Sequence, residues 1–179
     1  LAQRNSGYQR LEDDAYYTPP WCTWAMIPFL PSYVDRVWEP AAGPKRMISE
    51  VLKNANYAVR STDLRIGQGL NFLKTRSCGG RSIITNPPYK LAEPFIEHAL
   101  VLTAQCRQAV AMLLRVDFDS AITRRHLFKD HPAFLGTVVL MRRVRWIANS
   151  TGSPSENHTW FLWDWRKPPQ QKPIINYGK

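Results

Sequence analysis

The chain has 179 residues, 44% of them hydrophobic, and 24 Lys and Arg stand against 14 Asp and Glu for a net charge of +10. That length suits one domain with an ordinary core, and the charge excess favours an acidic partner, nucleic acid ahead of a membrane surface. No apolar run approaches the ~18 residues of a membrane helix, and Cys22, Cys78 and Cys106 show neither a close pair nor zinc spacing, which points to reduced thiols in a cytoplasmic compartment.

Residues 1–15 are polar and aperiodic and read as a flexible basic arm carrying Arg4 and Arg10. Tyr16-Tyr17-Thr18-Pro19-Pro20-Trp21 follows, stiffened by its prolines, with aromatic rings that can cover a ligand. Cys22 to Leu30 reads as a short apolar helix that Pro28 interrupts. Val34 to Trp38 is a short first strand. It leads into Glu39-Pro40-Ala41-Ala42-Gly43, where small residues let the backbone approach a ligand. Ile48 to Ala55 has a helical apolar face, and Tyr57 to Ser61 is a second strand. Just past it lies Asp63, 20 residues after Gly43. A carboxylate at that tip can accept both hydroxyls of a ribose or simply cap the strand end.

Leu64 to Arg81 is polar and glycine-rich. Ile83-Ile84-Thr85 then forms a buried strand, and Asn86-Pro87-Pro88-Tyr89 a stiff loop at its carboxyl end. In open α/β sheets ligands sit at that end. The loop offers an amide side chain, carbonyls and an aromatic face, a set suited to a planar amino group on a ring.

Leu91 to Thr103 has the clearest helical pattern, with Pro94 tolerated near its start and His98 on its flank. Gln108 to Val116 is near-continuously apolar, as a central parallel strand requires. Asp117 to Lys129 is expected to contain a helix capped by Asp119 or Ser120, with Arg124 and Arg125 facing either DNA or water. His126 and His131 lack ligand-spaced partners, so no metal is expected. Val138 to Trp146 and Thr159 to Trp165 read as an antiparallel hairpin, with Arg142, Arg143 and Arg145 on its first strand and Trp160, Trp163 and Trp165 on its second. From Arg166 the chain is an extended tail rich in Pro, Lys and Gln.

Asn86-Pro87-Pro88-Tyr89 after an apolar strand resembles the catalytic motif of S-adenosylmethionine-dependent amino-methyltransferases, and the chain from about Tyr16 to Trp165 looks like the small phage-type DNA N6-adenine methyltransferases. The resemblance implies an α/β, Rossmann-like class I methyltransferase fold over residues 16–165. Its mainly parallel seven-stranded sheet would have order 3-2-1-4-5-7-6 and helices on both faces, with the tail at 166–179. It implies S-adenosylmethionine as cofactor, held by Tyr17, Thr18 and Pro19, by Glu39, Pro40, Ala41 and Gly43, by Asp63 at the ribose, by Asn71 and Phe72 at the adenine, and by Asn86. It gives Asn86, Pro87, Pro88 and Tyr89 the catalytic work; the chain's own charge makes Arg124, Arg125, Arg142, Arg143 and Arg145 the candidate basic surface for duplex DNA.

The chain departs from the family pattern at two positions. Lys45 stands where a second glycine of the cofactor loop belongs, and Asn71 replaces an acidic residue. These departures keep open a DNA-binding module with a degenerate cofactor site, and a protein-glutamine or RNA-base amino-methyltransferase stays open because those families share the Asn-Pro-Pro-Tyr chemistry on a planar amine.

Overall fold

The computed structural model describes residues 17–67, 69–146 and 156–178; the basic arm and the centre of the hairpin loop lie outside them. The central strand β4 (Ala109–Arg115) is buried from Ala109 to Leu114. Its continuous apolarity follows from its position, since it is paired on both edges and covered on both faces. Val110, Met112 and Leu114 join one hydrophobic cluster, and Ala109, Ala111 and Leu113 join the other. This is the two-residue period of a strand, expressed in two cores.

Around β4 the sheet runs β2 (Ala58–Ser61), β1 (Arg36–Glu39), β3 (Ser82–Thr85), β4, β6 (His158–Asp164), β5 (Phe134–Leu140) and β7 (Ile174–Gly178). The pairs β2–β1, β1–β3, β3–β4 and β5–β7 are parallel, and β6 is antiparallel to both β4 and β5. Helices cover both faces. On one, α3 (Ala92–Ala104) buries Phe95, Ile96 and Ala99 in a cluster with Trp38, Met112, Phe161 and Trp163. On the other, α1 (Pro20–Trp24) and α2 (Met47–Asn54) bring Cys22, Ile48 and Leu52 against Ile84, Leu113 and Trp160. Each of these buried indoles finds an acceptor. Trp160 donates to the Cys22 carbonyl at 2.8 Å, Trp163 to the Leu127 carbonyl at 2.7 Å and Trp38 to Thr62 Oγ1 at 2.8 Å.

The seven strands, mainly parallel and sandwiched by helices, match the expected fold, and the six from β2 to β5 keep the expected order. The strand expected outside β2 is not formed by the described residues between Thr62 and Arg81, which hold a 3-10 turn at Phe72–Lys74. The seventh strand comes instead from the tail, as β7 beside β5. Gly136 makes that pairing feasible. It has φ +138°, and a Cβ there would lie 1.9 Å from the Ile174 carbonyl oxygen.

Two other expectations need correction. Asp117 to Lys129 forms two 3-10 turns, Phe118–Ser120 and Ile122–Leu127, because Ala121 between them is extended, and neither turn has a side-chain cap. The hairpin's first strand begins at Phe134 and ends at Leu140, so Arg142, Arg143 and Arg145 lie on the loop beyond it. Cys78 and Cys106, distant in sequence, bring their sulfurs to 2.9 Å. Among the described residues no helix is long and apolar enough to cross a membrane, and no group of three His, Cys, Asp or Glu side chains could hold a metal ion.

Candidate active site

The carboxyl ends of β1, β2 and β3 lie on one edge of the sheet, because these strands are parallel neighbours. Past β3, Asn86 is half-buried, Pro87 buried, Pro88 half-buried and Tyr89 43% exposed. The prolines keep the loop from folding back into the sheet. The Pro88 carbonyl then accepts from the Leu91 amide at 2.9 Å, which closes the 3-10 turn that starts α3. Asn86 Nδ2 donates to Thr18 Oγ1 at 3.2 Å. Thr18 is buried, so this bond fixes the plane of the amide and turns its carbonyl oxygen Oδ1 away from Thr18.

Past β1, Gly43 adopts φ +60°, a conformation that favours glycine. A Cβ there would sit 3.8 Å from Tyr17 Cε1, so the Tyr17 ring lies over the loop. Lys45 is exposed and its Nζ stands 4.5 Å from the centre of the same ring. The lysine stem has therefore left the loop for the aromatic face. Pro40 is buried, Ala41 packs against the α3-side core and Pro19 is half-buried, its carbonyl accepting from the Cys22 amide at 3.0 Å.

Glu39 is 1% exposed. Its Oε2 accepts from the Ser49 amide at 2.8 Å and from Ser49 Oγ, which ties the loop to an otherwise unpaired amide in the first turn of α2. Burial pushes its carboxyl up to about 7, against the lowering effect of the Ser49 bonds. Asp63 is 3% exposed. Its Oδ2 accepts from the Gly43 amide at 2.9 Å, and its Oδ1 from the Arg65 amide at 2.8 Å and Arg65 Nε at 3.1 Å. Burial raises its carboxyl, but the Arg65 and Gly43 hydrogen bonds outweigh burial and hold it below the ordinary range.

The structure thus gathers Tyr17, Thr18, Gly43, Asp63 and Asn86 at one sheet edge. It also changes several assignments. Phe72 is 2% exposed and packs among Trp38, Phe95 and His98, at centroid distances of 5.3, 4.9 and 4.9 Å. An apolar ring beside α3 gains more in that core than over a ligand, so Phe72 is a packing residue. Asn71 Oδ1 accepts from the Leu73 amide at 3.0 Å and caps the 3-10 turn. Arg124 pairs with Glu93 at 3.1 Å, donates to the Phe118 carbonyl at 2.9 Å and lies over the Phe118 ring. It braces α3 and is not a ready phosphate ligand. Arg125 pairs with Asp130 at 2.6 Å.

Sequence reasoning missed Arg65 and Ser49. Ser49 carried a faint signal, a hydroxyl in the first helical turn after a glutamate-bearing loop. Arg65 carried none, since its partner is chosen by the turn after Asp63.

This architecture is that of the Rossmann-like class I methyltransferases. No protein-family model matches the chain, and no curated protein matches it. Among solved structures it is similar to a candidate class I S-adenosylmethionine-dependent methyltransferase from Listeria monocytogenes, with a TM-score of 0.60 and 12% identity over 89% of this chain and 65% of that one. It is also similar to the type I restriction-modification system methyltransferase subunit from Streptococcus thermophilus, with a TM-score of 0.58 and 12% identity over 85% and 45%. A candidate hemolysin from Lactococcus lactis gives 0.57 and 10% identity over 90% and 94%. The chain therefore spans less than two thirds of the first two structures, and identities this low establish the fold alone.

Proposed function

We propose that the chain transfers a methyl group from S-adenosylmethionine to an exocyclic amino nitrogen, N6 of adenine in DNA. The observation that carries this is the Asn86 amide, held by Thr18 at 3.2 Å in the Asn-Pro-Pro-Tyr loop, on the same sheet edge as Gly43 and Asp63. The residues fit the cofactor. Gly43 offers a loop without a Cβ beneath the Tyr17 ring, Asp63 offers a buried carboxylate at the second strand's tip once the Arg65 guanidinium that covers it withdraws, and the exposed Lys45 ammonium can meet the methionyl carboxylate.

When bound, the cofactor supplies an electrophilic methyl group. The residues of this chain prepare the nucleophile. An adenine amine is weakly nucleophilic because its lone pair feeds the ring. Asn86 Oδ1 and the Pro87 carbonyl accept its two hydrogens, draw the nitrogen toward tetrahedral geometry and free the lone pair for in-line attack. The gain is in orientation and electrostatics, and neither group needs to be a strong base. Tyr89, exposed at the loop's end, stacks on the base once it leaves the helix.

Charge and topology support nucleic acid as the partner. β5 runs in the same direction as β4 and β3, since both β4 and β5 are antiparallel to β6. The loop after β5, with Arg142, Arg143 and Arg145, therefore opens on the sheet edge that carries Asn86. Arg142 lies 4.6 Å over the ring of Trp21, three residues from Thr18. With a net charge of +10, such a rim suits a phosphate backbone.

Fold likeness to structures named as methyltransferases supports the reaction class. A non-catalytic reading draws on Arg65, which already occupies the Asp63 carboxylate. The discriminating experiment is tritium transfer from labelled cofactor to unmethylated duplex DNA, RNA and protein, with nucleoside mass spectrometry for N6-methyladenine. Product on DNA alone supports the proposal. Product on protein or RNA alone moves the substrate to those classes, and no transfer with no cofactor binding favours the degenerate module.

A further inference from the structure

Outside the candidate active site, the α3-side core holds a pair of thiols. Cys78 lies in the run between the 3-10 turn at Phe72–Lys74 and β3, and Cys106 lies just past α3. Their sulfurs are 2.9 Å apart across 28 residues. Cys78 Sγ also stands 3.4 Å from the Leu102 carbonyl, and Cys106 Sγ 3.7 Å from the same oxygen, so one turn of α3 positions both. Cys78 is 2% exposed while Arg76, Ser77, Gly79 and Gly80 around it are exposed; it is the buried point of an otherwise solvated loop. Cys106 is partly exposed. Cys106 is thus the more exposed residue of the pair and Cys78 the buried one.

We infer that Cys78 and Cys106 form a reversible oxidation site, at which a low-molecular-weight disulfide converts the two thiols into an intramolecular disulfide that staples the Arg76–Arg81 loop to the end of α3. The Cys106 thiolate attacks one sulfur of the small disulfide, forms a mixed disulfide and releases one thiolate. Cys78 then gives its proton to water and its sulfur attacks Cys106 Sγ, releasing the second small thiolate. Two protein thiols are oxidised and one small disulfide is reduced to two thiols, so electrons and sulfurs balance. Burial and the neighbouring Cys78 hold the Cys106 thiol above its ordinary range, so the reaction quickens as pH rises. Cys22 is fully buried elsewhere, against the α1 side of the sheet, and takes no part.

The staple reinforces a link that already exists. Just before the loop, Thr75 Oγ1 lies 3.3 Å from His98 Nε2, and Phe72 packs on the same histidine. Oxidation extends that attachment along α3 and closes a 28-residue span.

The test uses the full chain, exposed to oxidised glutathione at pH 8 and then to dithiothreitol, and needs no cofactor. Intact mass should fall by two hydrogens, and proteolysis should yield a peptide linking Cys78 to Cys106. Melting temperature should rise by roughly 5–10 °C and return on reduction. Hydrogen exchange should slow at residues 76–81. Cys22→Ala should keep all of these responses, and Cys106→Ser should lose them while remaining folded by circular dichroism. A glutathione adduct that stays on Cys106, a linked peptide containing Cys22, or a mass loss with no change in melting and exchange would each overturn the inference.

Discussion

Asn86 and Thr18 meet at 3.2 Å across 68 residues of chain, the amide donating to the buried hydroxyl. This hydrogen bond joins the start of the domain to the carboxyl end of β3, and it decides which atom of Asn86 faces outward. Thr18→Val keeps the shape and removes the acceptor. It should leave the fold intact, lower turnover roughly tenfold and change cofactor affinity little, because a free amide samples orientations that present Nδ2 to the substrate. Asn86→Ala should cost about 10²–10³ in single-turnover rate, by analogy with loss of one transition-state partner. Equal rates for Asn86→Ala and wild type would remove the amide from the mechanism.

Glu39 couples stability to pH. Its folded carboxyl titrates near 7 against about 4.5 when unfolded, so between those values the folded state binds more protons than the unfolded state. Its contribution is fully present below about 4.5 and is lost as pH rises through about 7. Relative to Glu39→Gln, wild type should lose on the order of 3 kcal/mol across that window. Urea unfolding of both proteins at intervals from pH 4.5 to 8 measures it, and parallel curves would mean Glu39 keeps its ordinary carboxyl.

The basic residues should separate into two groups. Arg124→Ala loses the Glu93 pair and the bond to the Phe118 carbonyl, so it should lower stability by about 1 kcal/mol and leave the salt dependence of the proposed DNA binding unchanged. Replacing Arg142, Arg143 and Arg145 together should flatten the log–log salt plot by about 0.9 for each duplex phosphate these side chains neutralise. Fluorescence anisotropy against salt reads this. A slope changed by Arg124→Ala and not by the triple variant would reverse the assignment.

The parts of the fold written most plainly in the sequence are those whose residue pattern reports burial directly. β4 is apolar throughout because both its faces are covered, and β3 announces itself by an apolar run stopped by two prolines. The gathering of Gly43, Asp63 and Asn86 was likewise legible, since each follows a parallel strand and parallel strands share an edge. What the pattern hid depends on distant partners. Gly136 looks like a strand breaker until Ile174 is brought against it. The alternation around Arg142 and Arg145 mimics a strand, but the sheet ends at Leu140. Phe72 could serve a ligand or a core equally well, and Trp38 and Phe95 settle which. Cys78 and Cys106 become neighbours only because α3 returns to the loop.

Arg65 supplies the most informative test of the proposed cofactor site. A carboxylate offers about four acceptor positions. Asp63 already accepts from the Gly43 amide at 2.9 Å, the Arg65 amide at 2.8 Å, Arg65 Nε at 3.1 Å and Arg65 Nη2 at 3.4 Å. A ribose diol needs two acceptors, so the guanidinium must withdraw before Asp63 can hold a nucleoside. Its side chain is 38% exposed and has room in solvent to do so. Arg65→Ala should therefore bind S-adenosylhomocysteine more tightly, by on the order of tenfold, whereas Asp63→Ala should weaken it by about 1.5–3 kcal/mol. Isothermal titration calorimetry on the two variants and wild type decides the matter. Weaker binding by Arg65→Ala would make the arginine a cofactor ligand and not a cover. Equal binding by Asp63→Ala would take the carboxylate out of the ribose site. If wild type and Arg65→Ala both fail to bind while Lys45→Gly succeeds, the lysine and not the arginine closes the site, and the native loop has lost its cofactor.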